Sequence, residues 1–494
     1  MGHRTPRDQT SLLTYGAKAD ETSVLVGLSN FEDGKVEGTA IMGAPEIPAT
    51  DSASGPLALA DVDGDGELDL FVGGRSVPGK YPAPATSRLF LRKAGKFIAD
   101  ESNAALFQDL GLVSGAVFSD LNGDGAPDLA LAIEWGPIAV FLNDGRGKFA
   151  NATKKLGLAG ELGWWNSVTT GDFDGDGRMD IVAGNWGRNS KYEHHYDAGH
   201  PLLVHWGEFG GDGITQVVES HFDHAMSKLV PERGLSCSSL AMPFIKKIAP
   251  TYEKFGGSGL EDLYGDKLGK GPSLKASTLE SKVFLNRGDR FEARSLPVEA
   301  QLAPVFGISV ADFDGDGGED IFLAQNFFAA QIETPRIDAG RGLILRGDGK
   351  GNFLPLTGPA SGIQIPGDAR GSAVADYDGD GRPDLAVAQN GAPTKLFHNT
   401  GGKSGLRVRL AGRAGNATAL GAQIRIVGGD KRGPVRELHG GSGYWSQDSA
   451  VAVLPAPAPG AKLWTRWPGG KETVTEIPAG ARQVTATAPG SAEN

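Results

Sequence analysis

The segment Asp172-Phe173-Asp174-Gly175-Asp176-Gly177-Arg178-Met179-Asp180 constrains this chain more than any other. It sets carboxylates at positions 1, 3, 5 and 9 of a tight loop, with glycines at positions 4 and 6. Those glycines let the backbone curl through angles that other residues avoid. Oxygen donors alternating in this way suit Ca²⁺, which takes about 6–8 oxygens and accepts a backbone carbonyl among them. At position 7, Arg178 is then expected to offer its carbonyl rather than its side chain.

The loop recurs. Residues 61–69 read DVDGDGELD, 120–128 DLNGDGAPD, 312–320 DFDGDGGED and 376–384 DYDGDGRPD, which with 172–180 makes five intact copies. A sixth, worn copy at 208–216 (EFGGDGITQ) has lost the carboxylates of positions 3 and 9, and no metal is expected there. An EF-hand is excluded. It needs a glutamate at position 12, where this chain carries Val72, Leu131, Ala183, Leu323 and Val387. Each loop lies between short apolar runs, such as 56–60 before and 68–72 after the first, so the local unit reads strand, metal loop, strand.

The six loops start 59, 52, 36, 104 and 64 residues apart. A unit of roughly 50–60 residues fits a four-stranded propeller blade better than a short solenoid turn. Several units also carry a strand that ends in a glycine turn: 140–149 (VFLNDGRGKF), 283–288 (VFLNRG), 343–349 (LILRGDG) and 396–401 (LFHNTG). Asn/Asp-Gly between apolar strands signals a hairpin. Residues 23–28 (SVLVGL) read as one more unit, without a loop. The expectation is an all-β chain, with a seven-bladed β-propeller over 1–402.

The long step holds an insertion at about 230–278. Within 236–255, Leu240, Phe244, Ile245, Ile248, Tyr252 and Phe255 fall at helical spacing, while Pro243 and Pro250 start, kink or break the helix. A second short helix is expected at 261–268. From Gly405 the acidic loops stop, and 406–410, 422–427, 435–438 and 462–467 alternate with period two. That predicts a separate small antiparallel, sandwich-like β domain over 403–488, with a loose end at 489–494.

The formal charge of −12 is concentrated in the loops, which hold 21 of the 60 acidic residues. Five bound Ca²⁺ would bring it to about −2, so acidity here does not point to a cationic partner. No basic stripe suggests nucleic acid, and no apolar run is long enough to span a membrane. The single cysteine, Cys237, excludes an internal disulfide. Residues 1–7 lack the apolar core of a signal peptide. The chain is then either cytosolic or a piece of a longer exported precursor; weak calcium modules work outside the cytosol, which favours the second.

The loop followed by an apolar strand resembles the FG-GAP/VCBS repeat of integrin-α-type propellers. The C-terminal part resembles the ASPIC/UnbV domain through Arg436-Glu437-Leu438-His439, Gly441-Ser442-Gly443-Tyr444-Trp445-Ser446-Gln447 and Arg466-Trp467-Pro468-Gly469-Gly470. The combination resembles bacterial relatives of cartilage acidic protein. The resemblance implies a calcium-stabilised propeller, secreted or at the cell surface or in the periplasm, that binds an extracellular protein or glycan. It implies about five structural Ca²⁺. Their ligands would be Asp61, Asp63, Asp65, Glu67 and Asp69; Asp120, Asn122, Asp124, Ala126 and Asp128; Asp172, Asp174, Asp176, Arg178 and Asp180; Asp312, Asp314, Asp316, Gly318 and Asp320; and Asp376, Asp378, Asp380, Arg382 and Asp384. Asn122 keeps an oxygen but lowers the charge. One departure is Val451-Ala452-Val453-Leu454, where the family has a phenylalanine-glycine-leucine-glycine-like segment.

Two classes of function stay open: a non-enzymatic recognition or adhesion module, and a carbohydrate-active enzyme or lectin on the same scaffold. The second needs a convergent polar pocket, for which Trp186, Arg188, Tyr192, His194 and His195 are the candidates. Six of the nine histidines (His194, His195, His200, His205, His221, His224) crowd this region, without a diagnostic metal-ligand spacing. Gly441-Ser442-Gly443 is not a nucleophile elbow but a glycine-rich turn.

Overall fold

A computed structural model describes residues 7–16, 22–197, 199–269, 271–331, 334–428 and 431–490. The opening residues 1–6, and most of the C-terminal end expected to be loose, lie outside them. The fold is all-β, built from antiparallel sheets joined by short loops. Five sheets open with a strand that runs into an intact loop and returns: Ala53–Ala60 to Asp69–Ser76, Leu112–Ser119 to Asp128–Gly136, Ser167–Gly171 to Asp180–Gly184, Val305–Ala311 to Asp320–Gln325, and Asp368–Ala375 to Asp384–Asn390. In each, the residue before position 1 pairs with position 9 (Ala60↔Asp69, Ser119↔Asp128, Gly171↔Asp180, Ala311↔Asp320, Ala375↔Asp384). A loopless sheet, Asp8–Tyr15 with Ser23–Ser29 and Ile41–Met42, precedes them.

The core lies between successive sheets. Leu129 and Leu131 face the second sheet, where Phe71 and Leu89 lie; Ala130 and Ala132 face the fourth, where Ile181 and Phe284 lie. Alternation therefore sends both sets of side chains into apolar surroundings, which is why these strands read as continuous apolar runs.

The unit expected at the worn loop, 208–216, is not part of this succession. Its strands, Leu202–Gly207 and Gln216–Asp223, join Lys228–Pro231 and Ser273–Ala276 in a sheet inserted between Asp180–Gly184 and Lys282–Asn286, the second and third strands of the fourth sheet. Six sheets succeed one another and the worn loop belongs to the insertion. The expected helix is broken into short pieces, Leu235–Ala241, Ile245–Ile248 and Tyr252–Gly256, at the two prolines, with Leu260–Tyr264 and Asp266–Gly269 beyond. Ile245, Phe255 and Leu263 are buried with Phe209 of the worn loop and Val218 of the inserted sheet, whereas Leu240 and Tyr252 are exposed.

The C-terminal region holds two small sheets around Leu406, Val408, Ile424, Leu463 and Trp467. It is not purely antiparallel, since Leu406–Ala411 pairs in parallel with Gln483–Thr487. It also reaches into the repeats. Leu59 N–H donates to Gly440 O (2.7 Å), Leu12 N–H to Trp445 O (3.3 Å) and Thr14 N–H to Gln447 Oε1 (2.6 Å). Val374 N–H donates to Asp448 Oδ1 (2.7 Å), and Ser119 Oγ–H to Glu437 Oε2. Thr170 Oγ1 meets His439 Nε2 (3.1 Å), and Phe306 meets Tyr444 (5.7 Å between ring centroids). One segment, 437–449, thus touches the leading strands of all six sheets. Gly443 has φ +84°, and a Cβ there would stand 1.5 Å from Val168 O, so the glycine motif is a condition of this close passage.

Candidate metal centres

The intact loops share one hydrogen-bond plan. Position 9 accepts from position 2 and from a later strand end: Asp180 from Phe173 N–H (2.9 Å) and Asn286 N–H (2.7 Å), Asp128 from Leu121 (3.1 Å) and Asn143 (2.8 Å), Asp69 from Val62 (2.9 Å) and Arg92 (2.8 Å). Asp320 and Asp384 do the same with Phe313 and Gly347, and with Tyr377 and Asn399. Position 1 accepts from the position-6 glycine, as Asp172 does from Gly177 N–H (3.1 Å), and position 5 accepts from the N–H of position 7. The glycines at 4 and 6 take φ of +72° and +91° in the third loop. The Arg178 and Arg382 side chains turn back to pair with Asp176 and Asp380.

This plan buries acid. Desolvation pushes the position-9 carboxyls up, Asp69 to about 7 and Asp128, Asp180 and Asp320 to about 8. It pushes Asp61, Asp120, Asp172 and Asp312 at position 1 to about 6, and raises Asp384. Backbone N–H groups offset only part of that cost, and neighbouring loop carboxylates add to it. In the third loop, Asp172 Oδ1 and Asp174 Oδ1 are buried without a hydrogen-bond partner. Together with Asp180 they offer ligand atoms within 4.8 Å of one another, as do Asp61, Asp63 and Asp69. Crowded, desolvated oxygens with unused lone pairs fit a hard divalent cation.

The C-terminal region packs on these loops. Arg466 pairs with Asp120, Arg407 Nε with Asp376 (2.9 Å) and Arg436 with Glu319, while Val435 N–H donates to Asp172 Oδ2 (2.8 Å). Three asparagines that sequence reasoning took only as turn residues bind neighbouring sheets. Asn143 Nδ2 donates to Val62 O (2.9 Å), Asn286 Nδ2 to Leu121 O (2.7 Å) and Asn399 Nδ2 to Phe313 O (2.8 Å), each time position 2 of the preceding sheet's loop. The asparagine that recurs at the end of three of the four hairpin strands was the available signal, with Gly347 in its place in the fourth.

The aromatic and histidine candidates divide. Of these, Trp186 stacks on Trp164 (4.1 Å, 13°) beside Trp135 and buried Tyr192, as part of a packed aromatic cluster. Arg188 pairs with Glu193 and Glu280, and His194 is exposed. His205 is buried against Ser220, and that burial lowers its pKa. His200 and His224 share Asp197, while His195 and His221 share Glu232.

Comparison with known proteins agrees with this architecture. A model of the FG-GAP-like repeat matches residues 120–183 and 327–387, and the ASPIC and UnbV model matches 412–493. Cartilage acidic protein 1 of Xenopus tropicalis is 23% identical over 84% of this chain and 70% of its own length. T-cell immunomodulatory protein of Rattus norvegicus is 26% identical over 56% and 50%. Among solved structures, the exotype rhamnogalacturonan lyase YesX aligns with 81% of this chain and 74% of its own at 14% identity and TM-score 0.30. The Vibrio cholerae biofilm matrix protein Bap1 aligns with 87% and 60% at 12% and 0.26, and neither likeness is strong enough to argue from. The chain carries FG-GAP-like repeats followed by an ASPIC and UnbV domain and is homologous to cartilage acidic protein 1, which has this architecture.

Proposed function

We propose that each intact loop holds one structural Ca²⁺ and that the protein is an exported, non-enzymatic recognition or adhesion module for an extracellular protein or glycan. The sheets are read as the blades of a propeller over 1–402, with 403–488 docked on its loop side. The observation that carries the calcium assignment is the pair of buried, unpartnered oxygens on Asp172 and Asp174 within a five-fold repeated carboxylate plan. Position 7 (Glu67, Ala126, Arg178, Gly318, Arg382) would add its carbonyl. Because Arg466, Arg407 and Val435 lie on the loops, the calcium face is covered, and recognition falls to the opposite side.

The enzyme reading required Arg188, Tyr192, His194 and His195 to converge with Trp186. Arg188 is spent on two glutamates, Tyr192 is buried and His194 stands apart. A cavity of about 60 Å³ lies instead against His439, Glu437 and Asp448, with room for water rather than for a sugar. The test is elemental analysis of the purified full chain, followed by glycan and protein binding screens. About five Ca²⁺ per chain and saturable binding of one ligand class without turnover are expected. A metal content near zero would overturn the calcium assignment, and cleavage of a bound glycan would overturn the non-enzymatic reading.

A further inference from the structure

The inserted sheet brings together a cluster unlike the calcium loops. Glu232 follows the strand Lys228–Pro231, His221 lies on Gln216–Asp223, and His195 comes from the loop after Asp180–Gly184. The Glu232 N–H donates to Glu219 O (2.9 Å), which extends the hairpin and holds the carboxylate beside His221. His195 Nδ1 lies 3.0 Å and His221 Nδ1 2.7 Å from the same oxygen, Glu232 Oε1. The two imidazoles lie face to face, 3.9 Å between centroids and 12° from parallel.

The charge balance of this cluster is unusual. The Glu232 side chain is 1% exposed, and burying a carboxylate costs heavily unless a cation accompanies it. Its neighbour Glu219 has Lys191 (3.4 Å) and Arg233 (3.8 Å). Among the described residues, Glu232 has no Lys or Arg within 4 Å, only the two imidazoles. His221 Nδ1 is buried and lies 2.7 Å from the carboxylate, yet out of hydrogen-bonding geometry with it. We propose that His195, His221 and Glu232 bind a first-row divalent transition ion of the Zn²⁺ type, which clasps the segment 187–197 to the inserted hairpin.

Two nitrogens and one carboxylate oxygen suit Zn²⁺ and its neighbours, whereas the all-oxygen loops suit Ca²⁺. Tetrahedral Zn²⁺ with bonds of about 2.0–2.1 Å holds its donors about 3.3 Å apart. The present 2.7 and 3.0 Å spacings therefore need to open by about 0.6 and about 0.3 Å, and the stacked rings to turn so that both Nδ1 lone pairs meet at the ion. The His195 side chain is 35% exposed, which leaves one side of the ion to water. The other triad, Asp197, His200 and His224, is a contrast rather than a second site. Its side chains are 45%, 39% and 66% exposed, and Asp197 is already occupied by the Gly199 and His200 N–H groups.

The experiment uses the full chain saturated with Ca²⁺, so that the loops are closed to other ions. Co²⁺ is titrated in and followed by visible absorption, then displaced with Zn²⁺ and counted. One equivalent should bind and give the intense bands of a low-coordinate, nitrogen-containing site. His221→Ala and Glu232→Gln should weaken binding at least about tenfold, whereas a His200→Ala/His224→Ala variant should leave it unchanged. Near-UV circular dichroism and the calcium count report whether a variant has folded; should Glu232→Gln fail, the wild-type spectrum still decides. Only the weak bands of hydrated Co²⁺, or equal binding in folded His221→Ala, or loss of binding in the His200/His224 variant, would overturn the site in favour of a hydrogen-bonded His–Glu–His cluster.

Discussion

The third loop, 172–180, and the worn loop, 208–216, have the same backbone plan with opposite electrostatics. In both, the residue before position 1 pairs with position 9, Gly171 with Asp180 and Gly207 with Gln216. Position 1 accepts from position 6 in both, Asp172 from Gly177 and Glu208 from Gly213. At position 9, Asp180 takes two N–H groups and keeps a buried charge. Gln216 takes the Phe209 and Gly210 N–H groups through Oε1 and gives its Nε2–H to Asp212 (2.9 Å). A Cβ on Gly210 would stand 2.9 Å from that Nε2. The amide therefore fills the space a position-3 carboxylate would occupy. The loop can be closed without metal if position 9 carries its own donor, and the aspartates at position 9 of the intact loops carry none.

The largest effect should come from removing the proposed Ca²⁺ from the intact loops. A ligand at about 100 times its Kd adds about 2.7 kcal/mol per site. For five such sites in a chain of this size, chelation should lower the melting temperature by roughly 10–20 °C in a thermal scan. A shift within error would mean that the intact loops close on their own, as 208–216 does.

The next effect separates the loops by pH. Position 9 is held near 7 to 8 by burial in the metal-free fold (Asp69, Asp128, Asp180, Asp320), against an ordinary value of 3.8. A raised carboxyl means that the folded state binds more protons than the unfolded state. That contribution is complete below about pH 4 and is lost as pH rises through 6 to 8. Metal-free protein should accordingly have a higher urea midpoint at pH 6 than at pH 8.5. With Ca²⁺ bound the slope should reverse, because protons then compete with the ion. Parallel slopes in the two titrations would show that the carboxyls do not sense the metal.

An exchange of loops sharpens the comparison further. Gly210→Asp/Gln216→Asp rebuilds positions 3 and 9 in the worn copy and frees the space the amide now fills. It should add a sixth Ca²⁺ to the elemental count and cost stability once the ion is chelated. Asp174→Gly/Asp180→Gln should remove one ion and shrink the chelation shift by about a fifth. If neither count moves, residues outside the nine positions determine binding.

Strand, loop and return strand were legible because the nine-residue pattern specifies a local structure, and Pro243 and Pro250 broke the helix where they should. The insertion was not. Leu202–Gly207 and Gln216–Asp223 look locally like any other unit, and only pairing of Asp180–Gly184 with Lys282–Asn286 removes them from the succession. The 36- and 104-residue steps on either side of the worn loop were the trace of that long-range pairing. Similarly, Gly441-Ser442-Gly443 announces an unusual backbone but not what it passes. Clustering of His195 with Glu232 depends on the register of a hairpin, which composition cannot set.

The smallest effect lies within the intact set. The second loop has two handicaps: Asn122 replaces an aspartate, and its Nδ2 donates to Asp124 Oδ2 (2.8 Å), using an oxygen that would otherwise face an ion. Arg466 also pairs with Asp120, so a fixed cation stands beside position 1. Arg407 pairs with Asp376 in the fifth loop in the same way, so it is the asparagine that sets the second loop apart, and that loop should empty first as free calcium falls. Asn122→Asp restores the charge and removes the competing donor while leaving the Arg466 pair in place. It should tighten the weakest of the five sites by up to about tenfold, or about 1.4 kcal/mol, in a calcium titration followed by calorimetry. An unchanged weakest site would move the handicap to Arg466. The docked C-terminal region, rather than the loop's own sequence, would then limit calcium at that position.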